Sequence, residues 1–492
     1  ANRLIGMQWN RRIIRNAEHH DFLSSEQWGN RSGRSAIDAA ILKSSTYHLF
    51  HLTHTGGGSF DNDATACYDR IVMNLAILRG RQLGLPKKSA ELLHNFLSQA
   101  RYHIKTQHGQ SEQSYTSDRH YHLHGPGQGT IFGPPVWLAV CTLIMDLIPS
   151  KASPLLFQNP TQTITLTRHM DGFVDDTTGW TNRFHSSLRQ GPDPSQIQQQ
   201  LQQLAQWWEE LLTATGGKLE LPKCFFYLLD FKFNEDGIPQ LQSPTDTPGI
   251  SIKDSISSQE YPINQLEVDQ PHKTLGVMLS PDLDSSAEVA HLKAKANRLH
   301  TRLLPHQVQP QLIYRFILTM CRPALCYGTP VSTISRAQWD HIQGDLNRLI
   351  LTKLRFNRNS PKVIIHAPIR MGGLEIPDGY AEQGWAHVQS LIKHCRSHTI
   401  VGQHLLTLIQ WTHLHTGYLR QPLEHPELPF PHTFSPWVES TRKFLAESNC
   451  CVIVHDIPPL KLPREHDYCL MELAIQLLGD QAKLNLARIN AC

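Results

Sequence analysis

The chain has 492 residues, 40% apolar and 18% charged, with 46 Lys and Arg against 43 Asp and Glu for a net charge of +3. That length suggests two to four domains with ample volume for buried cores, and the mix excludes a disordered or collagen-like chain. The near-neutral total gives no global sign of a nucleic-acid partner. No apolar run reaches the ~18 residues of a bilayer span, and ten cysteines without regular spacing make no disulfide framework. The N-terminal ANRLIGMQWNRR has no hydrophobic signal core and begins with Ala rather than Met, as a piece of a longer product would. A soluble, intracellular, reduced protein, nuclear or cytoplasmic and without membrane contact, is the expectation.

In chain order, residues 2 to 54 read as mainly helical, with Leu4, Ile5, Trp9, Ile13 and Ile14 near helical spacing. EQWGNRSGRSAID breaks that pattern with two glycines and three potential anion donors, Arg31, Arg34 and Ser35. Gly56-Gly57-Gly58 leads into SFDNDATACYDRIVMNLAIL, where an acidic cluster leaves a strand and enters an apolar helix. Residues 101 to 123 look like a polar hairpin ahead of HGPGQG. A helix from about Pro134 to Leu147 and the strand TITLTRH precede the acidic turn MDGFVDD. An amphipathic helix over Gln196 to Leu212 puts Ile197, Leu201, Leu204, Trp208 and Leu211 on one side. The Ser- and Pro-rich stretch from Pro244 to Pro271 reads as a loop or weak strand pair and the best boundary. Residues 284 to 360 read as helical with Pro and Gly interruptions.

Two acidic groups stand out. Asp61, Asp63 and Asp69 surround a strand-to-helix junction, and Asp175-Asp176 follow apolar Phe173-Val174 in a hairpin turn. Adjacent carboxylates beside apolar strands repel unless a cation neutralises them. Mg²⁺ suits hard oxygen ligands, and two such ions about 4 Å apart activate an attacking hydroxyl and stabilise a leaving pyrophosphate. Either cluster alone reads more simply as solvated loop acids. Their combination with the glycine turn between them points to chemistry.

The order DATACYD, GPGQG before a Pro-Pro helix start, FVDD, GGKLELPKC and KTLGV resembles the palm motifs of reverse transcriptases, specifically the LINE-type (non-LTR retrotransposon) branch. The resemblance covers roughly residues 1 to 290 and is loose beyond. It implies an α+β right-hand polymerase. Partial fingers would span 1–58, an antiparallel-sheet palm with interleaved fingers elements 59–280, a helical thumb 281–360, and a mainly helical region of unknown role 361–492. It implies RNA-directed DNA synthesis, as in retrotransposition, on an RNA template and a DNA primer from deoxynucleoside triphosphates. Two Mg²⁺ ions, or Mn²⁺ in their place, are the implied cofactors.

Carried over by position, Asp63 matches the first catalytic carboxylate and metal ligand, Asp175 the second, and Asp176 its accompanying acid. Asp61 is not the matching position and would lie near the site or cap the loop. Tyr68 falls where the family keeps a bulky ring against the incoming sugar, selecting deoxynucleotides; a core tyrosine on an amphipathic helix is the alternative. Asp69 would cap or brace that helix. Gln128 and Gly129 match the turn that packs against template and nucleotide, where glycine permits positive φ. Lys223 matches a lysine that could protonate or neutralise the departing pyrophosphate; a surface lysine is the alternative. Lys273 to Val277, with Gly276 in the turn, resembles the primer-gripping hairpin, and Arg31 and Arg34 match a later finger block. The chain departs from the family at Ile131 and Gly133, where many relatives have proline and serine. It also lacks the most N-terminal finger blocks, an endonuclease domain and an RNase H pattern, as an N-terminally truncated copy would. A catalytically inactive remnant that binds RNA or RNA–DNA duplex is the second reading. Another palm polymerase is the third, and Tyr68 speaks against RNA synthesis.

Residues 289 to 362 hold twelve Lys and Arg against only Asp340 and Asp345, a local +10 that leaves 34 basic against 41 acidic residues elsewhere. Lys293, Arg298, Arg302, Arg315 and Arg322 recur along helical segments, and the scarcity of acids is unlike an ion-paired surface. Following the palm, this stretch would grip duplex phosphates. Residues 363 to 492, with ten basic and twelve acidic residues, show no such grip. Cys450, Cys451, His455, His466 and Cys469 lack the two-to-four-residue ligand spacing of a zinc site.

Overall fold

The structure is a computed structural model describing residues 2–116, 125–182, 194–235, 239–244, 247–428, 435–457 and 470–478. Helices α1 (Asn2–His19) and α2 (Ala36–Thr53) are separated by the glycine-interrupted stretch. Ser35 and Asp38 start α2 with a reciprocal capping box, a device worth about 1 kcal/mol. Beyond its first residues α2 is buried on nearly every face, as an apolar-all-round helix must be.

What α2 packs on is a mostly antiparallel sheet. Strand β1 (Gly57–Asn62) is buried at every residue. It lies between β3 (Asp176–Asn182) and β4 (Phe225–Phe233), with β2 (Met170–Phe173) beyond β3 and the short β5 (Asn264–Gln265) parallel to β4. Alternation along the strands supplies two apolar faces. Phe60, Met170 and Phe226 face a core shared with α3 (Gly133–Leu147) and α4 (Pro194–Ala214). Trp180 and Leu229 face the core shared with α2. The five apolar positions expected on one side of α4 are all buried.

That second core also takes in α7 (Gly379–Arg396), α8 (Ile400–Thr416) and α9 (Pro436–Glu447). Between sheet and α7 come a hairpin of β6 (His272–Thr274) and β7 (Val277–Leu279), then α5 (Ser286–Leu303) and α6 (Arg336–Lys353). Leu292, Leu299, Trp339, Ile342 and Leu346 join α5 and α6 in a third core. The fold is α+β, with helices on both faces of the sheet.

One local expectation changes. The helix after the acidic run starts only at Met73; residues 65–69 are turns, so Tyr68 is not on a helix. In the stretch read as a loop or weak strand pair, Ser251–Lys253 pairs with Glu260–Pro262, and β5 joins it to the sheet. The segment Gly133–Ser150 is long and apolar enough by composition to cross a membrane, yet 67% of it is buried within the fold. The polar hairpin is seen as Lys105–Thr106 paired with Gly109–Gln110; its residues 117–123 lie outside the described residues.

Candidate active site

Strand β1 stops where its continuation pairs with the loop after α4. The Glu220 N–H donates to the Asp63 carbonyl at 2.9 Å and the Thr65 N–H to the Lys218 carbonyl at 2.8 Å. This pairing lays the single turn Leu221–Lys223 beside Asp63, and the Lys223 Nζ donates to Asp63 Oδ2 at 2.7 Å. The hydrogen bond to that carboxylate raises the lysine's pKa.

Asn62 is paired with Thr177 across β1 and β3, so Asp63 leaves the sheet beside Asp176, the first residue of β3. Phe173 pairs with Asp176, and Val174 and Asp175 form the two-residue hairpin loop. Val174 has φ 62°, a left-handed conformation that β-branched residues rarely adopt. Its surroundings hold it there. The Trp137 indole N–H donates to the Val174 carbonyl at 2.6 Å, and Gln27 Oε1 accepts from the Val174 N–H at 3.2 Å. Backbone bonds join Gly172 to Glu26 at 2.9 Å and to Trp28 at 2.7 Å. A Cβ on Gly29 would lie 2.5 Å from the Val174 nitrogen, so only glycine lets the loop approach so closely.

The charge of Asp63 bears on both acids of the hairpin. Loss of solvent raises the pKa of Asp175, with the charge of Asp63 adding, while a hydrogen bond with the Cys67 thiol offsets part of the rise. Asp176 is pushed up to about 6 by desolvation in the cleft and by the charges of Asp175 and Asp63. Asp61, two residues before Asp63, is committed elsewhere. The buried Lys43 of α2 pairs with it, and Thr178 Oγ1 donates to it at 2.8 Å. A cavity of about 420 Å³ opens here, lined by Asp63, Asp176, Lys223, Lys43, His272 and Lys273 among others. Asp61 lines it too, whereas Asp175, Tyr68, Gln128 and Gly129 are not among its lining residues.

The donor set suits a hard divalent ion: carboxylate oxygens whose charges need neutralising, with an ammonium as the cation now against Asp63. Among the described residues, no group of three or more His, Cys, Asp or Glu is drawn together tightly enough to hold an ion. Cys450 and Cys451 are exposed, and His466 and Cys469 lie outside the described residues.

Tyr68 packs its ring against Gly133 at the start of α3, and desolvation pushes its pKa up to about 12. Asp69 braces the glycine turn rather than a helix, its carboxylate accepting from the Gln128 N–H at 2.7 Å and its carbonyl from the Gly125 N–H at 2.8 Å. Gln128 and Gly129 are exposed at its tip, with φ 82° at Gly129.

Arg31 and Arg34 turn inward. Arg31 is buried, its guanidinium bonded to both oxygens of Glu18 at 2.8 and 2.6 Å. Arg34 donates to the Ser25 and Gln27 carbonyls at 2.6 and 3.0 Å and lies over the Trp28 ring. Their loop supports the Asp175 hairpin, and the sequence break that marked them is the signal for that bracing. Gln27, Gly29, Trp137 and Lys43 are the supporting residues sequence reasoning missed.

Lys273 is exposed on β6. Leu275 and Gly276 form the hairpin loop with φ 48° and 93°, and the Tyr327 hydroxyl donates to the Leu275 carbonyl at 3.0 Å. Lys293 is engaged within the helical lobe, bonded to Asp345 at 2.9 Å and the His341 carbonyl at 2.8 Å. Arg298 and Arg302 stand exposed on α5. The basic stretch is more compensated than its own sequence implies, because acids from beyond it reach back. Glu382 pairs with Arg322, and Asp378 and Glu447 with Arg336.

No protein-family model matches the chain, and no curated protein is significantly similar to it. Among solved structures it is similar to a telomerase from Candida albicans, determined in complex with the TWJ fragment of telomeric RNA. The similarity is 14% identity at a TM-score of 0.27, over 74% of this chain and 52% of the other. The chain therefore spans about half the length of that protein, and a likeness this distant assigns no family.

Proposed function

We propose that the chain is an RNA-directed DNA polymerase of the LINE type, extending a primer 3′-hydroxyl by in-line attack on the α-phosphate of a deoxynucleoside triphosphate. The observation that carries this reading is that Asp63, Asp175 and Asp176 stand at one end of adjacent antiparallel strands, where the charge of Asp63 raises the pKa of both Asp175 and Asp176, with Lys223 against Asp63. Asp63 and Asp175, with Asp176 beside them, would hold two Mg²⁺ ions, or Mn²⁺ in their place, and such ions activate the attacking hydroxyl and neutralise charge on the departing pyrophosphate.

The remaining roles fall to this chain's own groups. Lys223 would donate to, or neutralise, the leaving pyrophosphate. The Tyr68 ring, held against Gly133, would exclude a ribose 2′-hydroxyl, and the Gln128–Gly129 tip would pack against template and nucleotide. Lys273, with Gly276 shaping its hairpin, and Arg298 and Arg302 on α5 would contact template–primer phosphates. Arg31, Arg34 and Lys293 work inside the fold in this reading, since their donors are already engaged.

Purified chain incubated with poly(rA), oligo(dT), dTTP and Mg²⁺ beside an Asp175→Asn variant tests this reading. Extension by the parent and a drop of at least about 10³-fold in the variant are expected if the carboxylate holds a catalytic ion. No extension by the parent, with duplex binding retained, would leave the inactive binding remnant. Equal extension by both would show that Asp175 is not in the site.

A further inference from the structure

Two lysine–aspartate pairs stand two residues apart along one strand end, and they differ in kind. Lys43 and Asp61 are both buried, with side chains 5% and 10% exposed, and the ammonium also bonds the Thr178 hydroxyl. Lys223 and Asp63 face the cleft, with side chains 65% and 25% exposed. A buried pair cannot separate without stranding a charge, whereas an exposed pair is weakly held and screened by salt. The Lys223 ammonium rests on Asp63 Oδ2, on the carboxylate that would bind a divalent ion. A monovalent and a divalent cation on one small carboxylate repel strongly.

We propose that Lys223 is the resident counter-ion of the ion-free site, and that a divalent cation arriving at Asp63 displaces its ammonium into the cleft. This rests on the polymerase reading of the site and adds a second task to a residue that reading places at the leaving group. Competition sets the site's divalent affinity, and ion binding is what frees the lysine to reach phosphate. Lys43 has no such freedom, so Asp61, although it lines the same cavity, stays paired with its lysine.

The test is Mn²⁺ binding to the full chain without nucleic acid or nucleotide, read from the free-ion electron paramagnetic resonance signal. Lys223→Met, Lys223→Arg and Asp63→Asn are compared with the parent. Lys223→Met is expected to bind Mn²⁺ about tenfold more tightly than the parent because the competing charge is gone. Lys223→Arg should stay within about twofold of the parent, and the gap should narrow as salt screens the pair. If Asp63→Asn weakens binding but Lys223→Met binds no more tightly than the parent, the displacement is wrong and the metal-site reading stands. If Asp63→Asn leaves Mn²⁺ binding unchanged, the ion is not at Asp63 and both fall.

Discussion

At Gly29 a single added carbon would strike the backbone of Val174, the residue before Asp175. The contact is far from Gly29 in sequence and adjoins the acidic hairpin of the proposed site. Gly29→Ala should therefore push the hairpin outward. A displacement of this kind costs about 10²-fold in rate when catalytic groups must be held to within an ångström. Single-turnover extension alongside a urea melt checks this: a large rate loss with a small stability loss is expected. The clustering of these carboxylates was legible in the sequence, because one group sits at a strand end and the other in a hairpin turn. Arg31 and Arg34 were not. Spacing says that a guanidinium is present but not where it points, and Glu18 and the carbonyls of 24–27 claim these two.

Helix α2 meets the sheet through a buried ion pair, and that pair is an element-scale joint. Lys43 reaches from the helix to Asp61 on β1 and Thr178 on β3, fixing the two strands whose ends carry Asp63 and Asp176. Lys43→Met would leave Asp61 buried and unpaired, a change that costs about 3–5 kcal/mol. Urea denaturation should show a loss of that size, and Lys43→Met with Asp61→Leu should recover part of it. At this scale the sequence was informative wherever one face was apolar, as in α4. It was silent about Lys43, because a lysine in a helix ordinarily reads as a solvated face. It also underestimated how far later helices reach, since Glu382 and Glu447 pair with arginines of a stretch whose own acids are only Asp340 and Asp345.

Across the whole molecule, the 29 histidines acquire a meaning that composition alone did not supply. Several line the core between α2 and the C-terminal helices and are held neutral by burial. His48 and His387 are lowered to about 3, and His54 and His415 to about 4. Their folded pKa values lie below the unfolded 6.5, so the unfolded chain binds more protons and stability falls as pH drops below about 6.5. For the fully buried His48 and His387 the loss reaches roughly 2 kcal/mol each by pH 5. Thermal melts from pH 7 to 5 should show Tm falling steeply, and His387→Gln should flatten that slope. The same assembly places Asp61 and Asp63 two residues apart on one cavity, one paired with a buried lysine and one with an exposed lysine. Primer extension per folded molecule by Asp63→Asn and Asp61→Asn, each normalised to its own urea melt, tests that division most directly. The account predicts that Asp63→Asn keeps the parent's stability and loses extension, while Asp61→Asn loses stability and keeps most extension per folded molecule. Extension that survives in Asp63→Asn and vanishes in a fully folded Asp61→Asn would contradict it.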